Sequence, residues 1–153
     1  MLKSSISEFA DRLNEILPVL IREFAKRQAG ELYKGKITLP QFIIMDFLNK
    51  KGPSKMSDVA RFMSVSTAAT TGIVDRLVKC GYIKRTYEPN DRRIVRIKST
   101  SKGIELTKRI NDQRRKMIIS IFSRLSSAER DDYLRVLMRI RDILIPGDRP
   151  EEL

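Results

Sequence analysis

Between Ile83 and Lys98 the chain stops repeating its apolar residues at helical spacing. The segment IKRTYEPNDRRIVRIK is rich in β-branched and basic side chains, with Pro89-Asn90-Asp91 at its centre and Arg92-Arg93 directly after. On both sides of it, apolar residues recur every three or four positions, the period of a helix packed on one face. One short break of this kind in a helical sequence predicts a single β-hairpin within a mainly α (α+β) domain. Its strands are expected at 83–88 and 92–98, joined by a Pro-Asn-Asp turn. Val95 and Ile97 should face inward and Arg96 and Lys98 outward, although Ile94 spoils a clean alternation.

The helices around the hairpin are readable in turn. Ile6, Phe9, Leu13, Ile16, Leu17, Leu20, Ile21 and Phe24 predict a long amphipathic helix over about 4–29. Pro18 lies inside it, where its ring lacks a donor and meets the carbonyl of Asn14, so a kink or break is expected there. Gly30 and Gly35 bracket a loop. Thr38-Leu39-Pro40-Gln41 reads as a helix start: a Thr38 cap, a Gln41 side chain reaching back, and a proline where no donor is needed. That helix should stop before Gly52-Pro53. A short helix over 56–63 carries Val59, Ala60 and Met63. A tight Ser64-Val65 connection then leads to Ser66, a good N-cap for a helix over 66–80.

The helix over 66–80 has an unusual first half. Thr67-Ala68-Ala69-Thr70-Thr71-Gly72 is small and polar, whereas Ile73 to Val78 is apolar on one side, and Gly81 stands where a C′ glycine belongs. Two short helices joined tightly, the second opening with small hydroxylic residues, have the form of a helix-turn-helix. Small side chains let a helix backbone approach the major groove, and Ser and Thr can bond phosphates and base edges. By itself the same pattern also suits a buried helix with a close-packed small face. The hairpin that follows favours the first reading, because a hairpin after a recognition helix is a wing. A wing tip can enter the minor groove, whose negative potential favours arginine. Arg92 and Arg93 would serve there; the bland alternative is a solvated turn.

Charge agrees. Of the net +12, residues 75–116 contribute 14 basic and 5 acidic side chains, whereas residues 117–153 carry 6 and 7. A concentrated basic block calls for a polyanionic partner. The chain has no histidine and a single cysteine, Cys80. A Cys/His zinc site within one chain is therefore impossible, and the commonest general base is missing. No paired-carboxylate, phosphate-loop or nucleophile-elbow pattern is present, so no enzyme, cofactor or metal is expected. No apolar run approaches the roughly 20 residues of a membrane span. The first residues contain no apolar signal region, and one cysteine fits a reducing cytoplasm.

After the hairpin, Thr100-Ser101 opens a helix over about 101–124 with Leu106, Ile110, Met117, Ile118, Ile121 and Phe122. Ser126-Ser127-Ala128-Glu129 is a capping box for a last helix carrying Tyr133, Leu134, Leu137, Ile140 and Leu144, ended by Pro146-Gly147. A winged helix does not need three such helices to cover its own core. The expected organisation is an N-terminal dimerisation helix and loop (1–36), a winged helix-turn-helix domain (37–100) and C-terminal dimerisation helices (101–153). A larger monomeric helical core is the alternative.

The run from Ile37 to Leu106 resembles the winged-helix core of MarR-type transcriptional regulators. The matching residues are Thr38 and Gln41, VDRL followed by GYI and Arg85 within 74–85, Asp91-Arg92-Arg93, and Thr100-Ser101-Lys102-Gly103. The resemblance implies a homodimeric repressor or activator that binds a pseudo-palindromic operator in double-stranded DNA, with a ligand-responsive repressor as the preferred form and a small-molecule effector as a further candidate partner. The candidate DNA contacts are Ser66, Thr67, Ala68, Thr70, Thr71 and Arg76 on the recognition helix and Arg92 and Arg93 on the wing, with Asp91 supporting Arg93. The family often carries a bulkier or charged residue where Gly72 stands. The effector cleft implied between dimerisation helices and winged domain would have Phe24, Tyr33, Phe42 and Phe47 as wall candidates, although each also suits plain core. Peroxide-sensing relatives have a reactive cysteine near the N-terminus; here there is none, and Cys80 reads as structural. A sequence-neutral architectural DNA- or RNA-binding protein is the second functional reading, motivated by Gly72 and by the lack of long polar side chains on the recognition helix.

Overall fold

The computed structural model describes residues 5–27 and 37–145. By compactness the chain divides into two units, Met1–Arg114 and Arg115–Leu153. Tyr33, the loop expected between Gly30 and Gly35, and the Pro146-Gly147 stop lie outside the described residues.

In the first unit, α1 (Ile6–Arg27) starts from a capping box. The Ser5 hydroxyl accepts from the Glu8 N–H at 3.2 Å and the Glu8 carboxylate accepts from the Ser5 N–H at 3.0 Å. Of the kink or break expected at Pro18, the break is absent: the helix is continuous through it. A proline deletes one donor, and the turns on either side retain their own bonds. None of the residues of α1 is buried.

The core comes from the elements that follow. Thr38 and Gln41 cap α2 (Leu39–Lys51) reciprocally, as their spacing requires. Ser54 and Lys55 form β1, too short to leave a periodic signature, and lead directly into α3 (Met56–Met63). Ser64 then takes a left-handed conformation at φ 53°. This lets the Val65 N–H reach the Ala60 carbonyl at 3.2 Å and closes the turn into α4 (Thr67–Lys79). Phe42, Ile44, Met45 and Leu48 of α2 pack with Val59 of α3, Val74 and Leu77 of α4, and Ile37. Ile83, Ile97, Leu106 and Ile110 complete the same cluster. Each buried aliphatic side chain of this kind contributes about 1.5–3 kcal/mol.

The wing strands are β2 (Ile83–Glu88) and β3 (Asp91–Ser99), with β3 between β1 and β2 in an antiparallel sheet. Two details differ from the expected hairpin. The turn is Pro89-Asn90 alone, because Asp91 already pairs with Glu88. The next pair is Tyr87 with Val95, so Arg92, Arg93 and Ile94 bulge from the ladder. Val95 is exposed and only Ile97 of the expected inward pair is buried, because the ribbon projects past the core at this point.

The joint between α4 and α5 (Ser101–Phe122) is tightly bonded. The N–H groups of Gly81 and Tyr82 cap the carbonyls of Val78 and Leu77 at 2.9 and 3.0 Å, with Gly81 at φ 73°. Thr100 Oγ1 donates toward the Gly81 carbonyl at 2.7 Å and accepts from the Gly103 N–H at 3.2 Å. Lys102 Nζ donates to the Cys80 carbonyl at 2.8 Å. A Cβ on Gly103 would stand 2.0 Å from the Tyr82 carbonyl oxygen, so only glycine fits there.

In the second unit, the Ser126–Glu129 capping box is present at the start of α6 (Ser127–Leu144). Phe122 packs against Tyr133 with ring centroids 5.3 Å apart, and the Arg130 guanidinium donates to the Phe122 and Leu125 carbonyls. No residue of α6 is buried, and Leu134, Val136, Leu137, Met138 and Ile140 are all exposed.

Candidate nucleic-acid interface

The first two turns of α4 form an exposed surface of small residues. Ser66, Thr67, Ala68, Ala69 and Gly72 are exposed and Thr71 is half-buried. The Ser66 hydroxyl accepts from the Ala69 N–H at 3.2 Å, which leaves its own hydrogen free to donate outward. Thr71 Oγ1 donates to the Thr67 carbonyl at 2.8 Å, so outward it can only accept. Thr70 departs from expectation. It is 0% exposed, and its hydroxyl donates to the Ser66 carbonyl at 3.1 Å, so it packs inward as core and offers nothing to a groove. Its place in the helical period explains this, since Thr70, Val74 and Leu77 share the buried face. Arg76 is exposed two turns along, on the face of Ala68 and Gly72.

On the wing, Arg92 and Arg93 are exposed, and among the described residues neither guanidinium has a protein partner. The Asp91 carboxylate accepts from the backbone N–H of Arg93 at 2.9 Å. It thus orders the main chain of the bulge while the arginine side chain stays available.

The remaining arginines of this segment are held. Arg85 of β2 pairs with Asp75 of α4, and Arg96 of β3 pairs with Glu88 of β2. Neither pairing is among the sequence expectations, which put Arg96 on the outward face of its strand and Arg85 in the family motif. The overlooked signal was the acids themselves: Asp75, Glu88 and Asp91 stand in a block that otherwise favours a polyanion, and each fixes an arginine. Lys79, Lys84 and Lys98 add positive charge to the same segment.

Of the aromatic residues named for an effector cleft, Phe42 and Phe47 have different neighbours among the described residues. Phe42 is 2% exposed within the core, with the Arg114 guanidinium 5.5 Å from its ring centroid. Phe47 stacks on Phe62 at 4.3 Å. Phe24 is half-buried on α1, and Tyr33 is outside the described residues. Phe42 and Phe47 are therefore packing residues, because the inward stripe of α2 points them at neighbouring helices. Cys80 is exposed at the end of α4.

Comparison with known proteins agrees with this geometry. Residues 37–95 match the model of the MarR family. The chain is 39% identical over 71 residues to the HTH-type transcriptional regulator YfiV of Bacillus subtilis (strain 168), spanning 46% of this chain and 44% of that one. It is 30% identical over 87 residues to the HTH-type transcriptional repressor MdtR of the same organism, spanning 57% and 56%. The matches thus cover about half the length of these two relatives. Among solved structures, RV1404 from Mycobacterium tuberculosis superposes with TM-score 0.78 at 27% identity, covering 97% of this chain and 99% of that one. A mutant of MarR from E. coli complexed with operator DNA superposes with TM-score 0.66 at 20% identity, covering 90% and 99%.

Proposed function

This chain belongs to the MarR family of winged helix-turn-helix transcriptional regulators, and from that premise we propose that it is a dimeric repressor in the cytoplasm. It binds a pseudo-palindromic operator, with α4 in the major groove and the wing in the minor groove. One observation carries the reading: an exposed, small-faced helix start stands in the same fold as a projecting ribbon whose Arg92 and Arg93 are unpaired among the described residues. The contacts proposed are Ser66, Thr67, Ala68, Thr71 and Arg76 on the helix and Arg92 and Arg93 on the wing, supported by Asp91. Among the described residues no helix is long and apolar enough to cross a membrane.

Dimerisation supplies what one copy lacks. Among the described residues, each within its own unit, Ile6, Phe9, Ile16 and Ile21 are exposed on α1 and Ile143 and Leu144 on α6. Such apolar faces are covered in a stable soluble protein, and a second copy covers both while doubling the DNA contacts. The 1–36 and 101–153 segments are proposed to carry that interface. Response to an effector rests on the family alone, since Phe42 and Phe47 are packing residues. A melting-temperature screen against small apolar compounds tests it.

Fluorescence anisotropy on duplex enriched from a random pool tests the main reading. Affinity should fall about 10³-fold between 50 and 200 mM salt if six or more phosphates are neutralised. The second reading, sequence-neutral binding, is favoured by Gly72, whose exposed position has no atom near enough to demand glycine. Equal competition by random duplex or RNA would establish it instead.

A further inference from the structure

The ribbon that carries Arg92 and Arg93 has little apolar packing of its own. Tyr87 is 63% and Val95 38% exposed, and β1 pairs only with Ile97 and Arg96. Beyond Arg96 the sheet is two-stranded, and a lone two-stranded ribbon is marginally stable in water. Some other interaction must fix its direction if the arginines are to meet a groove.

Arg96 stands where the three strands end and the ribbon begins. Its backbone pairs with Lys55 of β1 on one side and Thr86 of β2 on the other. Its guanidinium is shared in two directions: Nε binds the Glu88 carboxylate beside the wing turn, and Nη1 donates to the Pro53 carbonyl ahead of β1 at 3.3 Å. The bond from Arg96 to Glu88 spans the bulged residues Arg92 to Ile94. A planar guanidinium fork can make both bonds together, which a lysine ammonium on its flexible stem does less well.

We propose that Arg96, clamped between Glu88 and the Pro53 carbonyl, is a positioning residue for the wing: it sets the angle at which Arg92 and Arg93 are offered to DNA and makes no DNA contact itself. This rests on the proposed minor-groove role of the wing. It carries an unusual sign. Removing an acid from a surface that meets a polyanion ordinarily strengthens binding, through reduced repulsion. Glu88, however, acts through Arg96, so its neutralisation should weaken binding. Arg96→Lys keeps the net charge and should weaken it as well.

The test is a cycle on the full chain, by anisotropy with a labelled duplex enriched from a random pool, alongside hydrogen exchange of the DNA-free protein. E88Q, R96Q and R96K should each weaken binding about tenfold, within the range that loss of one good contact produces. In an R92A/R93A background the same changes should cost less than about twofold, because interactions acting through one unit are non-additive. Amides 86–95 should exchange faster in E88Q and R96Q, with those of α2 and α4 unchanged. Tighter or unchanged binding by E88Q, or full additivity on R92A/R93A, would overturn the proposal. Unchanged exchange of the ribbon amides would overturn the clamp itself. Unchanged affinity of R92A/R93A would overturn the role of the wing, and that result is separable because the exchange readout needs no DNA.

Discussion

Thr70 and Arg93 show how differently two residues expected to contact DNA can act. Thr70 has no exposed surface and bonds its own helix, whereas Arg93 is exposed with its backbone fixed by Asp91. Arg93→Ala should cost about 1–3 kcal/mol of DNA binding and leave the melting temperature unchanged. Thr70→Ala should do the reverse: lower stability by about 1 kcal/mol and leave affinity at saturating fold unchanged. Calorimetry and anisotropy on both variants check the pair. The two helix glycines also separate. Gly103→Ala drives a Cβ into the Tyr82 carbonyl, so a loss of about 1–3 kcal/mol or more is expected. Gly72→Ala meets nothing within 4 Å and should raise stability by about 1 kcal/mol through helix propensity. Thr70 was unreadable as core from its type, since threonine serves grooves and interiors alike. Only its phase with Val74 and Leu77 distinguishes the two.

Elements were legible where a local rule fixes them. The Thr38–Gln41 and Ser126–Glu129 capping boxes are in place because each satisfies two orphan donors within one turn. The helix over 56–63 and the glycine stop at Gly81 follow from similarly local chemistry. What escaped was set by distant partners. β1 exists only because β3 passes beside it, and the bulge at Arg92 to Ile94 depends on pairing across the ribbon. Another non-local tie joins α2 to α5. Burial pushes the Asp46 carboxyl up, but hydrogen bonds from Lys50 and Asn111 and the nearby Lys50 and Arg114 charges outweigh it and hold the carboxyl below the ordinary aspartate range. With its folded pKa depressed, Asp46 stabilises the fold above the ordinary aspartate pKa of about 3.9 and loses that contribution as pH falls through the folded value. Asp46→Asn should therefore melt lower than the parent at neutral pH and approach it in acid. Melts across that pH range check the sign.

In the assembly, the exposed apolar residues of α1 and α6 and the basic segment bear on the proposed partner copy and duplex. Sedimentation at micromolar concentration should give a mass near twice that of the 17.7 kDa chain, and charged substitutions at Leu17 and Leu137 should shift it toward one chain. The fold class was legible because helical period, hairpin and charge block are all local properties of the sequence. An effector site was not, because a cleft is made by elements whose mutual placement no local pattern specifies.

A spacing experiment decides whether two copies read one duplex. Two copies reading adjacent grooves need half-sites about one turn, ~34–36 Å, apart. Inserting about half a helical turn between the half-sites of the enriched duplex places them on opposite faces of the DNA. Two chains should bind the parent duplex, and the insertion should remove most of the affinity. One chain per duplex, or affinity indifferent to the insertion, would contradict dimeric recognition.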